Sequence, residues 1–477
     1  MNILLTGATG YIGKRLLPVL VQRGHKVFCL VRNKNRFYAS EEILSKIEIV
    51  EADLLYRSEI KKLPNNIDVA YYLVHSMLSS GSEFVLQEKQ TAVNFRDYIE
   101  KTNVKRAIYL GGIYNSDNLS KHLKSRQNVE KILCGSHIPV TVLRAGIIVG
   151  SGSASFEIIR DLIEKLPVII TPTKINTRTQ PIAIRNVIDY LVGCIENADT
   201  TGKIFEIGGP DILTYKQMLK IFSEERNYKR YFFSIPFLPL SLTSYWLYFI
   251  TSTPYRLVLN LMESLKNEVI VKNDEIKKII PTEIIDYRNA IRLAFDKIQQ
   301  NMVVSSWKDA LASSRSGDNL SSYIQVPEFG CYIDKRENTF TRSPEEVLAN
   351  IWNIGGENGW YSTQWLWEIR GFLSKLGGGV GLNRGRRDSE DLHMGDALDF
   401  WRVLVADKEK YRLLLYSEMS LPGEAWLEIK INKGIPNILQ LTATFRPKGI
   451  LGRWYWYSVL PFHYLIFGKM LNKMISI

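Results

Sequence analysis

Cysteines are scarce in this sequence and show no paired spacing. Four occur among 477 residues, at positions 29, 134, 194 and 331, and none forms a C-x-x-C pair. This pattern argues against a disulfide framework and against a zinc site, and it favours a reducing, cytoplasmic location. The first residues also lack a basic segment followed by a long apolar core, so we expect no secretory signal.

Acidic residues are fewer than basic ones, 49 against 61, which gives a formal net charge of +12. A basic excess suits nucleic acid, an anionic membrane surface or a phosphorylated cofactor. The basic residues are spread along the chain and form no nucleic-acid-binding motif, so we expect no nucleic-acid partner. A membrane surface and a phosphorylated cofactor both stay open at this point.

The chain is longer than a single hydrophobic core usually supports, and its 45% hydrophobic and 23% charged residues are typical of folded globular proteins. A stretch of small polar residues at 312–322 is typical of a linker. We therefore predict a first domain over residues 1–310, with a substrate-binding part after about residue 150. A linker at 311–325 and a second domain over 326–477 follow.

Short apolar runs alternate with helix-like segments at the start of the chain. Most of the runs are nearly all apolar rather than apolar at every second position, as in parallel strands covered on both faces. The alternation predicts a doubly wound parallel sheet of the Rossmann type, in the α/β class. Strands are predicted at Asn2–Leu5, Lys26–Val31, Ile47–Ala52, Val69–Val74, Arg106–Leu110 and Val140–Leu143, and helices at Ile12–Arg23, Glu83–Thr102 and Leu119–Cys134. Pro18 falls inside the first helix, where we expect a kink.

A glycine-rich segment, Thr6-Gly7-Ala8-Thr9-Gly10-Tyr11-Ile12-Gly13, connects the first strand to the first helix. Glycine permits a tight turn at Gly7, a close approach of the backbone to a diphosphate at Gly10, and close helix–sheet packing at Gly13. Free N–H groups at the start of the helix then face the anion. We predict a dinucleotide site whose cofactor contacts are Gly7, Thr9, Gly10, Tyr11, Ile12 and Gly13.

The residues after the second and third strands indicate which dinucleotide binds. NAD sites place a carboxylate after the second strand, whereas this sequence has Arg32 there. A guanidinium suits a 2′-phosphate, so we predict NADP in preference to NAD. The alternative is an exposed arginine that simply follows a strand. Asp53 and Leu54 come directly after the third strand and are predicted to contact the adenine.

The Gly-x-x-Gly-x-x-Gly spacing, Asp53-Leu54 and the run Leu143-Arg144-Ala145-Gly146-Ile147 resemble the short-chain dehydrogenase/reductase superfamily. The resemblance is closest to its atypical extended members, which include NmrA-like regulators and an accessory subunit of respiratory complex I. It covers residues 1–300 and implies an NAD(P)-binding, oxidoreductase-like protein. On segments 72–77, 355–361 and 395–401, the whole chain is also similar to a group of bacterial two-domain proteins. In these bacterial proteins, a reductase-like N-terminal half precedes a domain that resembles the START/polyketide-cyclase helix-grip fold.

Active members of that superfamily carry a serine after the fifth strand and a Tyr-x-x-x-Lys pair on the next helix. This sequence has Gly111-Gly112 at the serine place, and His122 and Arg126 at the tyrosine and lysine places. The last two share one helix face because they are four residues apart. His122 is the predicted proton donor and Arg126 the predicted partner of the ribose hydroxyls, with a solvated polar face as the alternative. His75 would border the nicotinamide, although an ordinary strand-end histidine is the simpler interpretation.

Beyond the linker the pattern becomes one of antiparallel strands before a C-terminal helix. The run Ser343-Pro344-Glu345-Glu346 has the residues of a helix start. Strands are predicted at Ala397–Ala406, Lys410–Met419, Ala425–Asn432 and Ile438–Phe445. We predict an α+β helix-grip, START-like domain that holds a small apolar molecule. Five tryptophans either line such a cavity or fill the core, which is the option we favour: Trp352, Trp360, Trp365, Trp367 and Trp401. Asp396 and Asp399, near Trp401, are assigned no catalytic role.

Two segments are candidates for membrane contact. Residues 232–250 contain no charged residue, but Pro236 and Pro239 interrupt them, so a wall of the substrate-binding part is favoured over a membrane span. Residues 453–477 place tryptophans and tyrosines near Lys469 and Lys473. This composition suits a membrane interface or the closing helix of a grip fold, and peripheral membrane association is our hypothesis.

Two functions follow from the sequence. The first is an NADP-dependent oxidoreductase that reduces an apolar carbonyl or enone, with His122 as proton donor. The second is a dinucleotide-binding sensor or accessory module without turnover, which supports a membrane-associated complex while the C-terminal domain holds an apolar ligand. The glycines at 111 and 112 favour the second, and the intact spacing of His122 and Arg126 favours the first. We lean towards the oxidoreductase.

Overall fold

In the computed structural model, the chain forms two compact units, the first within residues 1–299 and the second within residues 326–477. The structure describes residues 1–34, 37, 39, 41–74, 82–115, 119–172, 176–235, 262, 267–299, 326, 331–361, 364–376, 386, 391–419 and 421–477.

The N-terminal unit is built on a seven-stranded parallel sheet with the strand order β11-β6-β5-β4-β1-β2-β3. Three two-stranded pairs, β7 with β10, β8 with β13 and β9 with β12, lie outside this sheet. The strands are β1 (Asn2–Leu5), β2 (Lys26–Val31), β3 (Ile47–Glu51), β4 (Val69–Tyr72), β5 (Arg106–Gly112), β6 (Val140–Ala145), β7 (Ile148–Val149), β8 (Val168–Pro172), β9 (Arg178–Thr179), β10 (Ile182–Ala183), β11 (Ile204–Ile207), β12 (Leu213–Thr214) and β13 (Tyr231–Ile235).

Helices cover both faces of this sheet. On one face α1 and α6 pack on residues such as Ile3, Leu5 and Leu143, and on the other α3 and α4 pack on residues such as Leu4 and Val142. The sheet is therefore doubly wound, because alternate residues of each strand enter two separate cores. The helices are α1 (Gly13–Gln22), α2 (Glu41–Leu44), α3 (Ser82–Lys101), α4 (Lys121–Cys134), α5 (Ala154–Lys165), α6 (Ile184–Glu196), α7 (Tyr215–Glu225), α8 (Ile276–Ile279) and α9 (Tyr287–Gln299).

The predicted Rossmann strands and helices are confirmed, with ends that shift by one or two residues. Pro18 does lie inside α1, which continues through it from Gly13 to Gln22. Proline is tolerated there because the helix buries Leu16, Leu17 and Leu20 in the core below it.

A further core lies after residue 148, where α5, α7 and α9 come together. Phe156, Phe222 and Phe295, one from each helix, form a triangle of rings whose centroids are 5.4 to 5.5 Å apart. This part of the chain corresponds in sequence to the predicted substrate-binding part.

The C-terminal unit is an antiparallel sheet with helices. Its strand order is β14-β19-β18-β17-β16-β15, and the last helix packs on β14 and β19. The strands are β14 (Tyr332–Phe340), β15 (Ala397–Leu398), β16 (Trp401–Asp407), β17 (Arg412–Ser417), β18 (Gly423–Asn432) and β19 (Asn437–Pro447), and the helices are α10 (Pro344–Trp352), α11 (Gln364–Leu376) and α12 (Gly449–Ser476).

The predicted helix start at Ser343 is confirmed, since its hydroxyl accepts a hydrogen bond from the backbone N–H of Glu345 (3.2 Å). The predicted strand at 397–406 is divided in two by a tight turn, in which Asp399 has a φ of +52°. The Asp399 carboxylate accepts hydrogen bonds from Nε1 of Trp360 (2.8 Å) and from the Gly356 N–H (3.3 Å). It therefore holds the turn in place.

Most of the tryptophans named above belong to the core, as favoured. Trp352, Trp360, Trp367 and Trp401 are buried in one cluster with Phe400. Trp365 differs, because it is 60% exposed on α11 and cannot fill the core.

Of the apolar segment 232–250, residues 236–250 lie outside the described part of the chain. No described helix is long and apolar enough to cross a membrane.

Candidate functional site

The glycine-rich turn has room for glycine alone at two of its positions. Gly7 has a φ of +69°, and a Cβ added there would lie 2.7 Å from the carbonyl oxygen of Leu73. A Cβ at Gly13 would lie 2.2 Å from the carbonyl oxygen of Gly7. The Gly10 N–H donates to that same oxygen over 2.8 Å and closes the turn. Gly7 and Gly13 thus serve the local fold, as the sequence predicts.

A threonine hydroxyl ties this turn to the end of β4. Thr6 Oγ1 donates to the Tyr71 carbonyl (2.8 Å) and accepts from the Leu73 N–H (3.1 Å), and Thr6 is fully buried. The carboxyl ends of β1 and β4 are therefore locked together at the place where the predicted cofactor would pass.

The start of α1 is suited to an anion. Among the described residues, no acidic side chain lies in its first turn and no side chain caps its N-terminus. The Lys14 and Arg15 amides of this turn already donate to the Gly10 (3.1 Å) and Ile12 (3.0 Å) carbonyls, so it is the helix dipole that favours a negatively charged group here. Thr9 is partly exposed in the turn that leads into this helix.

The side chains of Tyr11 and Ile12 turn towards the protein. Tyr11 lies under the guanidinium of Arg15, with 4.2 Å between the ring centroid and Cζ, and Arg15 also donates to the Ser151 carbonyl (2.8 Å). Burial raises the pKa of Tyr11 to about 12, so its hydroxyl stays protonated. Ile12 packs against the core around α1 and α6. A cofactor would therefore meet the backbone of these two residues.

Arg32 and Asp53 lie at the same edge of the sheet. Arg32 is exposed directly after β2, and Asp53 follows β3, whose end is joined to β2 by the Ala52 N–H donating to the Val31 carbonyl (3.0 Å). The carboxylate of Asp53 accepts from the Leu55 N–H (2.9 Å) and so stabilises its own turn. Leu54 is buried in the core and presents no side chain to a ligand.

The place predicted for the reductase serine is lined by Tyr109 and Arg126. A Cβ at Gly111 would lie 3.1 Å from Cε1 of Tyr109, which is a tight contact, and a Cβ at Gly112 would make ordinary contact with Cδ of Arg126 (3.6 Å). Tyr109 is buried, which raises its pKa, and its hydroxyl donates to the Arg126 carbonyl (3.3 Å). A side chain at Gly111 would therefore require the Tyr109 ring to shift.

Of the three predicted residues near the nicotinamide, Arg126 is the one whose side chain the structure describes. It is half-buried on α4 beside Gly112, and its Nε has no hydrogen-bond partner among the described residues. His122 belongs to the first turn of α4, with its side chain outside the described part of the structure. His75 also lies outside the described residues.

Sequence reasoning missed an ion pair at the carboxyl edge of the sheet. Glu130 on α4 accepts from Nε (3.0 Å) and Nη2 (2.5 Å) of Arg144 at the end of β6, and from the Tyr114 hydroxyl (2.7 Å). The Arg144 guanidinium also lies over the Tyr114 ring, 4.2 Å from its centroid. The pairing raises the pKa of Arg144 and opposes the effect of burial. These contacts fix the position of α4, and hence of Arg126, relative to β5 and β6.

A second missed feature comes from residues 269–272, far along the chain. Asn115, just after β5, donates to the Ile270 carbonyl (2.7 Å), and Gln180 accepts from the Val271 N–H (2.9 Å). The Lys272 N–H donates to the Glu206 carboxylate (2.7 Å) at β11. This segment, which we call the closing segment, thus borders the same edge of the sheet.

These features together fit a dinucleotide diphosphate. A Cβ would fill the turn at Gly7 and Gly13, the dipole at the start of α1 meets no acidic side chain in the first turn, and the exposed Arg32 follows the neighbouring strand. Among the described residues, no group of three or more metal-ligating side chains occurs, so these residues offer no metal site.

Comparisons with known families agree with this division of the chain. Residues 7–162 match a family described as NAD(P)H-binding, and residues 331–470 match a family described as a protein of unknown function, DUF2867. Over 84 residues the chain is 37% identical to the trichosetin synthetase PKS-NRPS1 of Gibberella fujikuroi. That match covers 16% of this chain, which spans only 2% of the length of the synthetase.

Solved structures resemble the N-terminal unit. A nucleoside-diphosphate-sugar epimerase from Staphylococcus aureus superimposes with a TM-score of 0.50 at 17% identity, covering 61% of this chain and 100% of the epimerase. The UDP-glucuronic acid 4-epimerase of Bacillus cereus, solved with UDP-glucuronic acid and NAD, superimposes with a TM-score of 0.48 at 16% identity. The match covers 63% of this chain and 99% of the epimerase chain. At such identities the likeness concerns the fold. The family match, the glycine turn and the fold shared with the Staphylococcus aureus epimerase identify the N-terminal unit as an NAD(P)-binding domain of the Rossmann type. It is followed by an antiparallel-sheet domain that matches the DUF2867 family.

Proposed function

We propose that the N-terminal unit is an NADPH-dependent reductase of an apolar carbonyl or enone, with His122 as its proton donor. The observation that carries this proposal is the placement of Arg126. Its half-buried guanidinium lies beside Gly112 at the end of β5, with Nε unpaired among the described residues. A buried guanidinium nitrogen without a partner is costly, so a ligand hydroxyl or phosphate there would be stabilising.

Each residue has a separate task in this proposal. When bound, a reduced nicotinamide supplies a hydride, and reduction of a carbonyl then also needs one proton at oxygen. His122, in the first turn of α4, would give that proton from its imidazole. Arg126 would hold the ribose hydroxyls of the cofactor on the same face of α4. Arg32 would pair with the 2′-phosphate.

Substrate-dependent oxidation of NADPH by the full-length protein tests the proposal. A panel of apolar aldehydes, ketones and enones is supplied, and the loss of NADPH absorbance is followed. We expect turnover that falls by about a hundredfold or more in His122→Ala, within the range of general acid catalysis, while calorimetric NADPH binding stays unchanged. His137→Ala is the matched control, because His137 is exposed on the loop after α4. Turnover that survives His122→Ala would contradict the role of His122.

A second candidate is a nucleotide-binding module without turnover. It is supported by Gly111 and Gly112, which supply no hydroxyl where active reductases carry the serine that polarises a carbonyl, and by the tight contact of 3.1 Å that a Cβ at Gly111 would make with the Tyr109 ring. This candidate predicts NADPH binding with no consumption across the whole panel, in the wild-type protein as well as in His122→Ala.

For the C-terminal unit we propose a helix-grip fold that holds a small apolar molecule with a hydrogen-bond acceptor. The strand order, with β14 beside β19 and two helices between β14 and β15, supports this fold. The ligand is supported by the buried indoles of Trp352, Trp367 and Trp401, whose Nε1 atoms have no partner among the described residues. Native mass spectrometry of the purified protein should detect a co-purified organic molecule. A measured mass equal to that of the protein alone, or of the protein with a dinucleotide only, would contradict the proposed ligand of the C-terminal unit.

A further inference from the structure

The first half of α12 exposes large apolar side chains on the side that faces away from the sheet. Leu451, Trp454 and Tyr464 are 76%, 73% and 72% exposed, and Ile450 and Tyr457 are exposed as well. The opposite side of the same turns is buried, with Trp456 stacked on Tyr332 and Phe445. The outer side of the helix over residues 450–465 is thus mostly apolar, with Arg453 and Ser458 as its exposed polar side chains, although a helix on a protein surface normally keeps a polar outer face.

The second half of α12 shows what such a polar face looks like. There Lys469, Asn472, Lys473 and Ser476 are exposed, while Met470 and Met474 are buried. Since both halves pack on the same sheet, the exposed aromatic residues of the first half are not required for the fold of the domain.

A neighbouring helix extends the apolar surface. On α11, Trp365, Ile369 and Phe372 are exposed at spacings of four and three residues, which places them on one side of the helix. Arg370 on this helix donates to the hydroxyl of Tyr455 (3.0 Å), so α11 and the first half of α12 are neighbours. We call these exposed residues of α11 and α12 the aromatic surface. Surfaces of this kind mark contact with a membrane or a partner.

The charges along α12 favour one occupant, while α11 contributes one exposed acidic residue, Glu368, beside Ile369. Residues 449–477 contain no acidic residue, and the exposed Lys448, Arg453, Lys469 and Lys473 are distributed along and beside α12. Exposed tryptophan and tyrosine prefer the interface between lipid and water, and lysine and arginine pair with anionic headgroups. No described helix could span the bilayer, so the contact would lie in the plane of the interface.

We propose that the aromatic surface docks the C-terminal unit onto an anionic lipid membrane. The apolar side chains of α12 and α11 enter the headgroup region, and Lys448 and Arg453 contact the lipid phosphates. This proposal is independent of whether the N-terminal unit binds or turns over a dinucleotide.

Sedimentation of the full-length protein with vesicles tests the proposal. Vesicles of phosphatidylcholine alone are compared with vesicles that also contain phosphatidylglycerol, at low and high salt. We expect binding to the anionic vesicles that weakens at high salt, and a loss of about tenfold or more in Trp454→Glu. Arg453→Glu should weaken binding by about fivefold or more, because one favourable charge is lost and an unfavourable one is added.

Two matched controls separate the aromatic surface from general effects. Tyr56→Glu changes an exposed aromatic residue of the N-terminal unit, and Lys410→Glu changes an exposed lysine in the turn between β16 and β17. Both should bind vesicles within about twofold of the wild type. Absence of vesicle binding, or equal losses in Trp454→Glu and Tyr56→Glu, would overturn the proposal. Concentration-dependent dimerisation that Trp454→Glu abolishes, without vesicle binding, would assign the surface to a second copy of the chain instead.

Discussion

Arg402 and Glu418 form a doubly hydrogen-bonded ion pair with no exposure to solvent. Nε and Nη2 of Arg402 each lie 3.2 Å from a carboxylate oxygen of Glu418, and Nη1 donates to the Gly395 carbonyl (2.8 Å). Arg402 on β16 is thus joined to the loop before β15 and to Glu418, just beyond the end of β17. Two charges so deeply buried stabilise the domain only as a pair.

Arg402→Met should therefore lower the free energy of unfolding of the C-terminal unit by about 3–5 kcal/mol, because it leaves the Glu418 carboxylate buried without a partner. The double variant Arg402→Met/Glu418→Leu should recover most of that loss. Urea unfolding followed by tryptophan fluorescence measures both, since eight of the ten tryptophans lie between residues 352 and 456.

An exposed ion pair of the same unit is the control. Lys335 Nζ lies 2.6 Å from Glu337 Oε1, with both side chains about half exposed. Lys335→Met should cost less than about 1 kcal/mol. A double variant that is less stable than Arg402→Met would show that burial of the unpaired charge is not the cause.

Gly13→Ala should weaken dinucleotide binding by about tenfold or more and lower the melting temperature. The added Cβ would lie 2.2 Å from the Gly7 carbonyl oxygen, so α1 must move away from the glycine turn that faces the diphosphate. Calorimetry with NADPH measures the change. Gly24→Ala is the control, because Gly24 also has a positive φ of +77° but has no atom within 4 Å of an added Cβ. It should cost about 1 kcal/mol of stability and leave binding intact. Unchanged NADPH affinity in Gly13→Ala would count against the site.

Arg32→Asp should reverse the cofactor preference. Loss of a guanidinium–phosphate contact weakens NADPH by about tenfold to a hundredfold, and the new carboxylate favours the ribose hydroxyl of NADH. Dissociation constants of both dinucleotides are compared. Lys203→Asp makes the same charge change directly before β11, at the amino edge of the sheet. It should change the dissociation constant of neither dinucleotide. Equal losses for NADPH and NADH in Arg32→Asp would exclude a 2′-phosphate contact.

Acid should destabilise the C-terminal unit through His463. Burial lowers the pKa of His463 below its ordinary 6.5, Asp334 opposes part of the shift, and Arg370 and Arg336 add to it. The separation of 3.6 Å between Nδ1 and the Asp334 carboxylate is too long for a strong hydrogen bond, which agrees with the neutral form. The unfolded chain therefore takes up the proton first as the pH falls, and stability is lost below about pH 6.5 with a slope of up to about 1.4 kcal/mol per pH unit.

Unfolding measured between pH 7 and pH 5 tests this dependence. His463→Gln should flatten the slope in this window, whereas His137→Gln should not, because His137 is exposed. The pKa of Asp334 is also lowered, and its contribution is lost only at more acidic pH. A slope that is the same in the wild type and in His463→Gln would exclude this histidine as the source.

The sequence predicted the N-terminal sheet well because most of its parallel strands are nearly continuous apolar runs and alternate with helix-like segments. It failed at β14, where exposed charged residues such as Lys335 and Glu337 alternate with partly buried positions on an edge strand. The sequence pattern also predicts β15 and β16 as a single strand, because nothing in the local sequence shows that Asp399 adopts a positive φ. That conformation depends on the distant Trp360.

The glycine turn was predictable because its constraint is local. The pairing of Glu130 with Arg144 was not, because it forms across two elements whose relative position only the packed fold defines. The same holds for Asn115 and Ile270, which are 155 positions apart. Leu54 was assigned to the adenine from its place after a strand, but burial in the core decides its contacts.

The closing segment bears on how separable the nucleotide-binding half is. The match to the NAD(P)H-binding family ends at residue 162, yet β11 begins at Ile204, the buried Tyr71 hydroxyl donates to the Leu191 carbonyl (2.7 Å), and the Ile270 carbonyl accepts from Asn115 after β5. A gene fragment cut at the family boundary would leave β6 as an unpaired strand edge and would lose these contacts. Any transplant of this module into another scaffold must therefore carry the chain at least through the closing segment.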